Sequence, residues 1–298
     1  MRLKIYLALL LFGSSISIVN GQDADTTKIW DTGLQGSLTF NQVSLTNWAA
    51  GGDNSLALSS FINIHANRKK NRSTWENSLN MAYGMTKIGN EKLRKSDDKI
   101  EFSSKYGYQL SPTSDKLSYS SSLTFRSQFA NGFDFPNDSV KISKFLAPGY
   151  FLISTGLDYK PAPYFSIFFS PLTGKITVVS DDDLAAIGAF GVDPGENSRG
   201  EFGSFLKLHF NKEIFTNVNL ESKIDLFSNY ADNPGDIDVN WETAIVMKIN
   251  EFLSANFLTH LIYDKDIKNN VIENGVVVGQ DDNIQFKQVF GIGLTFKI

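Results

Sequence analysis

The last fourteen residues, QFKQVFGIGLTFKI, alternate their side chains along the whole length of the segment. Phe286, Phe290, Ile292, Leu294 and Phe296 share one phase, and polar or small residues fill most of the other. A period of two is that of a β-strand, because successive side chains point to opposite faces. The run exceeds the roughly 5 to 6 residues of an ordinary strand and reaches the roughly 9 to 11 of a membrane strand. It predicts a strand that crosses a bilayer.

The same alternation recurs along the chain from Gly33 onward. It predicts twelve strands, at residues 34–42, 55–66, 74–85, 99–110, 117–129, 150–159, 164–170, 203–211, 217–228, 237–249, 252–263 and 286–298. After residue 21 no continuous apolar stretch of about 18 residues could form a transmembrane helix. A membrane protein with this pattern must close its sheet into a barrel. We therefore predict an all-β fold, a transmembrane antiparallel β-barrel of about twelve strands.

The connections between these strands alternate in length, which favours a barrel of the bacterial outer membrane with short periplasmic turns and long extracellular loops. The longest predicted loop joins Pro171 to Phe202 and contains the apolar run LAAIGAFGV, residues 184–192. An exposed apolar run of this kind is unfavourable in water. We expect it to pack against the barrel mouth or interior as a constriction.

The N-terminus predicts export from the cytoplasm. Arg2 and Lys4 precede a short apolar core, which is typical of a secretory signal peptide over residues 1–21. Loss of these two basic residues takes the formal charge from -4 to -6. This acidity argues against nucleic acid as a partner. The predicted organisation is a signal peptide at 1–21, a short periplasmic segment at 22–32 and a barrel at 33–298.

The first outward connection, LTNWAAGGDNS, is a candidate loop motif. Gly51 and Gly52 can adopt the positive φ angles of a chain reversal, and Trp48 suits a membrane interface. We interpret the stretch as a turn with an interface anchor, and a ligand platform on Trp48 is the alternative.

NWAAGG, FFSPLTGKITVV, GAFGVDPGENSRGEFG and the closing QFKQVFGIGLTFKI together resemble a family of uncharacterised outer-membrane barrel proteins from Bacteroidota, known only as a domain of unknown function. The resemblance implies a barrel in the cell outer membrane, in contact with outer-membrane lipid. It also implies that the barrel-assembly machinery reads the last strand, whose usual terminal aromatic is here replaced by Ile298, with Phe296 nearby. It implies no activity.

The charged residues of the polar phase predict a lumen with ion pairs. Both signs occur in equal number, which argues against strong ion selectivity. The candidate lumen-lining residues are Glu76, Glu101, Lys105, Arg126, Lys207, Glu221, Lys223, Asp225, Glu242 and Lys287. Five phenylalanines share the inward phase and would narrow the bore: Phe61, Phe168, Phe205, Phe227 and Phe252.

No catalytic constellation emerges from the sequence. His65, His209 and His260 all fall in the inward phase, where a lipid hydrolase of the barrel wall could not use them. The acidic loop residues, such as Asp181 to Asp183, match no calcium loop. We therefore predict no enzyme activity, no cofactor and no metal site.

Three functions remain open at this point. The features favour a narrow channel or binding barrel for a small solute. One alternative is a scaffolding barrel with a plugged lumen, whose outer loops bind a partner or glycan. The other is a secreted soluble β-sandwich that binds carbohydrate.

Overall fold

The chain folds into one closed antiparallel barrel of twelve long strands, which confirms the predicted fold class and excludes a β-sandwich. The computed structural model describes residues 29–45, 53–135, 137–267, 269–273, 276–281 and 284–298. The barrel strands are β1 (Trp30–Val43), β2 (Ser55–Lys70), β3 (Ser73–Ile88), β4 (Arg94–Gln109), β5 (Leu117–Ser127), β8 (Gly149–Ala162), β9 (Phe165–Val178), β10 (Ser198–Phe215), β11 (Val218–Asn229), β12 (Ile237–Lys248), β13 (Leu253–Tyr263) and β16 (Gln285–Lys297). Smaller elements in the connections are β6 (Gly132–Asp134), β7 (Asn137–Ser143), α1 (Asp182–Ala186), a 3-10 turn (Ala189–Gly191), β14 (Asn269–Glu273) and β15 (Val276–Asp281).

The first and last strands pair with each other and close the barrel. The order around it is β1-β16-β13-β12-β11-β10-β9-β8-β5-β4-β3-β2. At the seam, Leu34 and Ile298 exchange backbone hydrogen bonds of 2.9 and 2.8 Å. The ring of Phe296 lies against Gly36 of β1, where any side chain would collide with it. The last aromatic residue of the chain thus packs on the strand that closes the barrel.

Burial is inverted relative to a water-soluble protein. Among the described residues, nine hydrophobic side chains are buried against sixteen polar or charged ones. Large apolar side chains lie exposed on the outer face, for example Ile153, Phe286 and Phe290. A protein whose outer face contacts hydrocarbon and whose inner face is polar has this distribution.

Several strands are longer than predicted, and the connections shorten accordingly. β9 runs to Val178 rather than to residue 170, and β10 begins at Ser198, so the predicted long loop is confined to residues 179–197. The connection after β3 covers only residues 89–93, where the sequence predicted a long loop. In both cases charged side chains that line the lumen, such as Lys175 and Asp98, resemble loop residues in sequence.

Two connections at one end of the barrel pack on each other, and we call them the mouth cap: residues 128–148 and 179–197. Their shared core contains Ala147, Val179, Leu184, Ala185 and Val192, all buried. Most of the predicted apolar run therefore packs at the barrel mouth, whereas Ala186 and Ile187 are exposed, the latter by 74%. We call this the long-loop end, and the opposite end the short-turn end.

One carboxylate links the two halves of the mouth cap. Asp181 is 3% exposed and accepts a hydrogen bond of 3.2 Å from the backbone N–H of Leu184, at the start of α1. It also pairs with Lys141 of β7 and, at 3.1 Å, with Lys144. The hydrogen bond from Lys141 is the main cause that lowers the pKa of Asp181 to about 2.

A bulge in β9 interrupts the backbone ladder on both sides, at Ser170 to Thr173. The hydroxyl of Ser170 replaces the missing bonds: it accepts from Thr155 N–H at 3.0 Å and can donate to Thr155 C=O at 2.8 Å. It also accepts from Thr173 Oγ1 at 2.8 Å. Both side chains are fully buried, so this hydroxyl satisfies backbone groups that water does not reach.

Asp181 should stabilise the mouth cap only while it is ionised. Because its pKa is lowered by folding, its contribution is full above the unfolded value of about 3.9 and is lost as the pH falls through about 2. Hydrogen–deuterium exchange of residues 182–192 should show protection at pH 5 that disappears toward pH 2. Asp181→Asn should lack this protection at pH 5, and equal protection in both proteins would contradict the role of Asp181.

Ser170→Ala should destabilise the barrel by about 1–3 kcal/mol, because the backbone N–H and C=O of Thr155 both lose the buried hydroxyl that they bond. The free energy of unfolding in lipid, from a urea titration, measures the effect. Ser122→Ala, on the inner face of β5, is the matched control and should shift this free energy by less than about 0.5 kcal/mol. Equal effects of the two substitutions would show that the bulge needs no hydroxyl.

Candidate functional site

The structure places all ten predicted lumen residues on the inner face of the barrel. Nine of them line two cavities inside the barrel. The tenth, Lys287, projects inward from β16 and lies 2.6 Å from Asp97 of β4. These ten side chains therefore belong to the polar face that surrounds the lumen.

A layer of ion pairs crosses the middle of the lumen. Lys99 of β4 pairs with Glu242 of β12. These strands are six apart in either direction around a twelve-stranded barrel, so this pair spans the full bore. Arg126 of β5 pairs with Asp225 of β11, four strands away.

Glu101 of β4 adds a carboxylate to this layer on the side of the short-turn end. It is 4% exposed, accepts from Arg126 Nε at 2.7 Å and lies 3.5 Å from Lys99 Nζ. Lys207 Nζ lies 3.7 Å from Asp225. We call these six residues the ion-pair layer: Lys99, Glu101, Arg126, Lys207, Asp225 and Glu242. Each charged group in the layer lies beside a group of opposite charge. These partners replace the water that would otherwise solvate the charges inside the bore.

The layer separates two cavities that share no lining residue. The vestibule, at the long-loop end, has a volume of about 1000 Å³ and includes mouth-cap residues in its lining. The inner cavity, at the short-turn end, has a volume of about 440 Å³. Phe205 lines the vestibule and Phe168 the inner cavity, with ring centroids 6.4 Å apart in an edge-on arrangement.

The inner cavity contains its own paired charges. Lys105 lies 3.1 Å from Glu76 and 2.8 Å from Asp158, and Lys160 also pairs with Glu76. Glu221 lies 2.8 Å from Lys223 and 3.1 Å from His209. Four lysines and three glutamates line this cavity, and Asp158 adds a fourth carboxylate, so its lysines and carboxylates balance.

The vestibule contains a cluster around one ammonium group. Lys175 Nζ lies 2.7 Å from Asp238, 3.2 Å from Glu201 and 3.4 Å from Asp264. It also lies 5.2 Å from the ring centroid of Phe227, within cation–π range. Sequence reasoning missed Lys175 and Glu201, because it assigned both to a loop.

Other functional side chains were missed for related reasons. Lys99 is the first residue of the predicted strand 99–110, although β4 itself begins at Arg94, and Asp158 lies in the inward phase of β8 close to its end. Each lies in the inward phase of its strand, so the period-two pattern could have identified it.

Phe252, which the sequence placed in the inward phase, instead lies in a turn and is 64% exposed. Phe168, Phe205 and Phe227 do face inward and are buried.

The three histidines have carboxylate or amide partners. His209 lies 3.1 Å from Glu221, and His260 lies 2.8 Å from Asn240 and 3.8 Å from Glu242. His65 lies 3.8 Å from Asp31. Within the described ranges, no group of three His, Cys, Asp or Glu side chains could hold a metal ion. Trp48, Gly51 and Gly52, the candidate loop motif, lie outside the described residues.

Residues 40–133 match the model of a family described as "Protein of unknown function (DUF3078)". No curated protein matches the chain. None of the helices in the described residues is long and apolar enough to cross a membrane.

Three solved structures are similar to the chain along most of its length. An outer membrane channel from Pseudomonas putida F1 shares 9% identity, with a TM-score of 0.39, over 92% of this chain and 99% of that one. An active-site mutant of outer membrane phospholipase A from Escherichia coli shares 11%, with a TM-score of 0.39, over 92% and 94%. The translocator domain of the autotransporter NalP from Neisseria meningitidis shares 9%, with a TM-score of 0.35, over 93% and 90%. Identities at this level assign no activity, substrate or partner to the chain.

Proposed function

We propose that this protein is a barrel of the bacterial outer membrane that takes a small solute into the vestibule and passes it across the ion-pair layer. The observation that carries the proposal is the division of the lumen into two cavities by charged side chains. Side chains, unlike a folded plug domain, can separate and re-form without unfolding any strand. The layer is therefore a closed passage that can open locally.

The outer face supports the membrane location. Its exposed apolar side chains would be unfavourable in water, and hydrocarbon around the barrel removes that cost. At the short-turn end, Arg72 lies 4.8 Å from the ring of Tyr108, and Lys212 lies 4.4 Å from that of Tyr164. Aromatic rings beside cationic groups suit the level of lipid head groups. We assign the short-turn end and both termini to the periplasmic side.

A plugged scaffolding barrel is the second candidate, and one observation favours it. The ion-pair layer spans the bore and the mouth cap packs at the mouth, so two obstacles lie in series along the lumen. On this view the loops at the long-loop end bind the partner or glycan, and the lumen carries nothing.

Removing the spanning pair should open the lumen. Lys99→Ala/Glu242→Ala deletes both partners, so neither charge remains buried without its counterpart. Single-channel conductance in planar bilayers should rise several-fold above that of the wild type. Lys69→Ala/Asp115→Ala, which removes an exposed pair at the short-turn end, is the matched control and should leave conductance unchanged. Absence of conductance in both the wild type and the opened variant would favour the plugged scaffold.

The mouth cap should matter less for conductance than the ion-pair layer does. Replacing residues 180–196 by Asn-Gly leaves β9 and β10 joined beside their last hydrogen bond, 2.8 Å from Val179 N to Asn197 O. We expect conductance to change by less than about twofold, because the narrow part of the pathway lies below the cap. A larger rise than that of the Lys99/Glu242 variant would locate the constriction in the cap instead.

A further inference from the structure

The vestibule has two chemically different walls. One is apolar and aromatic: Leu152, Phe205 and Phe227 are buried from solvent and pack with Tyr150 at the barrel wall. The mouth cap extends this surface with Phe190. A ligand that lies against this wall would bury an aromatic or aliphatic group.

The other wall is polar and acidic. Asp238, Asn240 and Glu242 line it from β12, and His260 and Asp264 from β13 and the residue that follows it. Over the whole vestibule, carboxylates outnumber Lys and Arg side chains by seven to four. Such a lining concentrates cations and repels anions.

The chain itself already places one alkylammonium group in this environment. Lys175 Nζ lies among three carboxylates, within 3.4 Å of each, and 5.2 Å from the ring of Phe227. Carboxylates beside an aromatic face are the partners that a primary amine requires. The vestibule thus contains the elements of an amine site in contact with its apolar wall.

A second and independent observation concerns Asp225, at the floor of the vestibule. This side chain is 6% exposed, and its Oδ2 pairs with Arg126. Its Oδ1 is buried with no hydrogen-bond partner, and Lys207 Nζ lies 3.7 Å from it, beyond hydrogen-bond distance. A buried acceptor without a donor costs free energy that a ligand N–H group would recover.

We propose that the vestibule binds small primary amines that carry an aromatic or aliphatic group. The ammonium lies toward Asp238, Asp264 and the floor, and the apolar group lies against Phe205 and Phe227. This inference rests on the proposed function, since it takes the vestibule as the solute site. A cavity of about 1000 Å³ accepts a ligand of this size with room for water.

Isothermal titration calorimetry of the full barrel in a nonionic detergent tests the charge preference. The probe is phenethylamine, which is cationic at pH 7, and 3-phenylpropionate is an anion with a similar apolar group. We expect the amine to bind at least about tenfold more tightly, because the acidic lining repels the carboxylate. Equal affinities, or tighter binding of the anion, would overturn the proposal.

Two variants locate the site. Asp238→Asn/Asp264→Asn should weaken amine binding about fivefold or more, and Lys175 keeps Glu201 as its partner in this variant. Asp115→Asn/Glu251→Gln removes the same charge from the short-turn end and should leave the affinity unchanged. Heat-dependent electrophoretic mobility checks that each barrel is folded. An unchanged affinity in the Asp238/Asp264 variant would show that the amine binds elsewhere.

The failure of this inference can be distinguished from failure of the proposed function. Swelling of proteoliposomes in uncharged sugars tests passage without reference to charge. Swelling without amine binding would overturn the amine site and leave the passage proposal in place. Amine binding without swelling, even in the Lys99/Glu242 variant, would retain the site and overturn the passage.

Discussion

The fold depends on one constraint, the need of every backbone N–H and C=O group for a partner where no water is available. Closure of β1 on β16 meets this need around the circumference, because none of the twelve described barrel strands keeps a free edge. Where the bulge in β9 breaks the ladder, the hydroxyl of Ser170 supplies the missing bonds. Closure in turn divides the side chains into two populations, one toward hydrocarbon and one toward the lumen.

The lumen then has its own constraint, because a barrel of twelve strands is wider than one that side chains fill completely and narrower than an open porin. Apolar packing would close it permanently. The chain instead places Lys99, Arg126, Glu101, Asp225 and Glu242 across the middle, where each charge satisfies another. Such pairs add little net stability, since desolvation offsets much of their attraction, but losing one partner is costly. This arrangement favours a lumen that is closed while the ion pairs are formed and that opens when individual pairs separate.

Much of this could be predicted from sequence, because alternation is a local property. The position of Glu76, Arg126 and Lys287 on the inner face of the barrel follows directly from the phase of their strands. The ends of the strands could not be found in the same way. In β9, Lys175 and the turn-forming Pro171 and Gly174 resemble a loop until their neighbours in β8 and β10 are known. Pairing across the lumen, as between Lys99 and Glu242, depends on closure and has no local signal.

The two cavities differ in the charge of their linings, so a cationic solute would be attracted more strongly to one than to the other. The vestibule is acidic, whereas the four lysines of the inner cavity are balanced by three glutamates and Asp158. A cation that crosses the ion-pair layer therefore leaves a favourable potential for a less favourable one. Conduction requires a site strong enough to admit a solute and weak enough to release it. If the protein passes an amine as proposed, this asymmetry would make the vestibule the resting position and the ion-pair layer the step that limits passage.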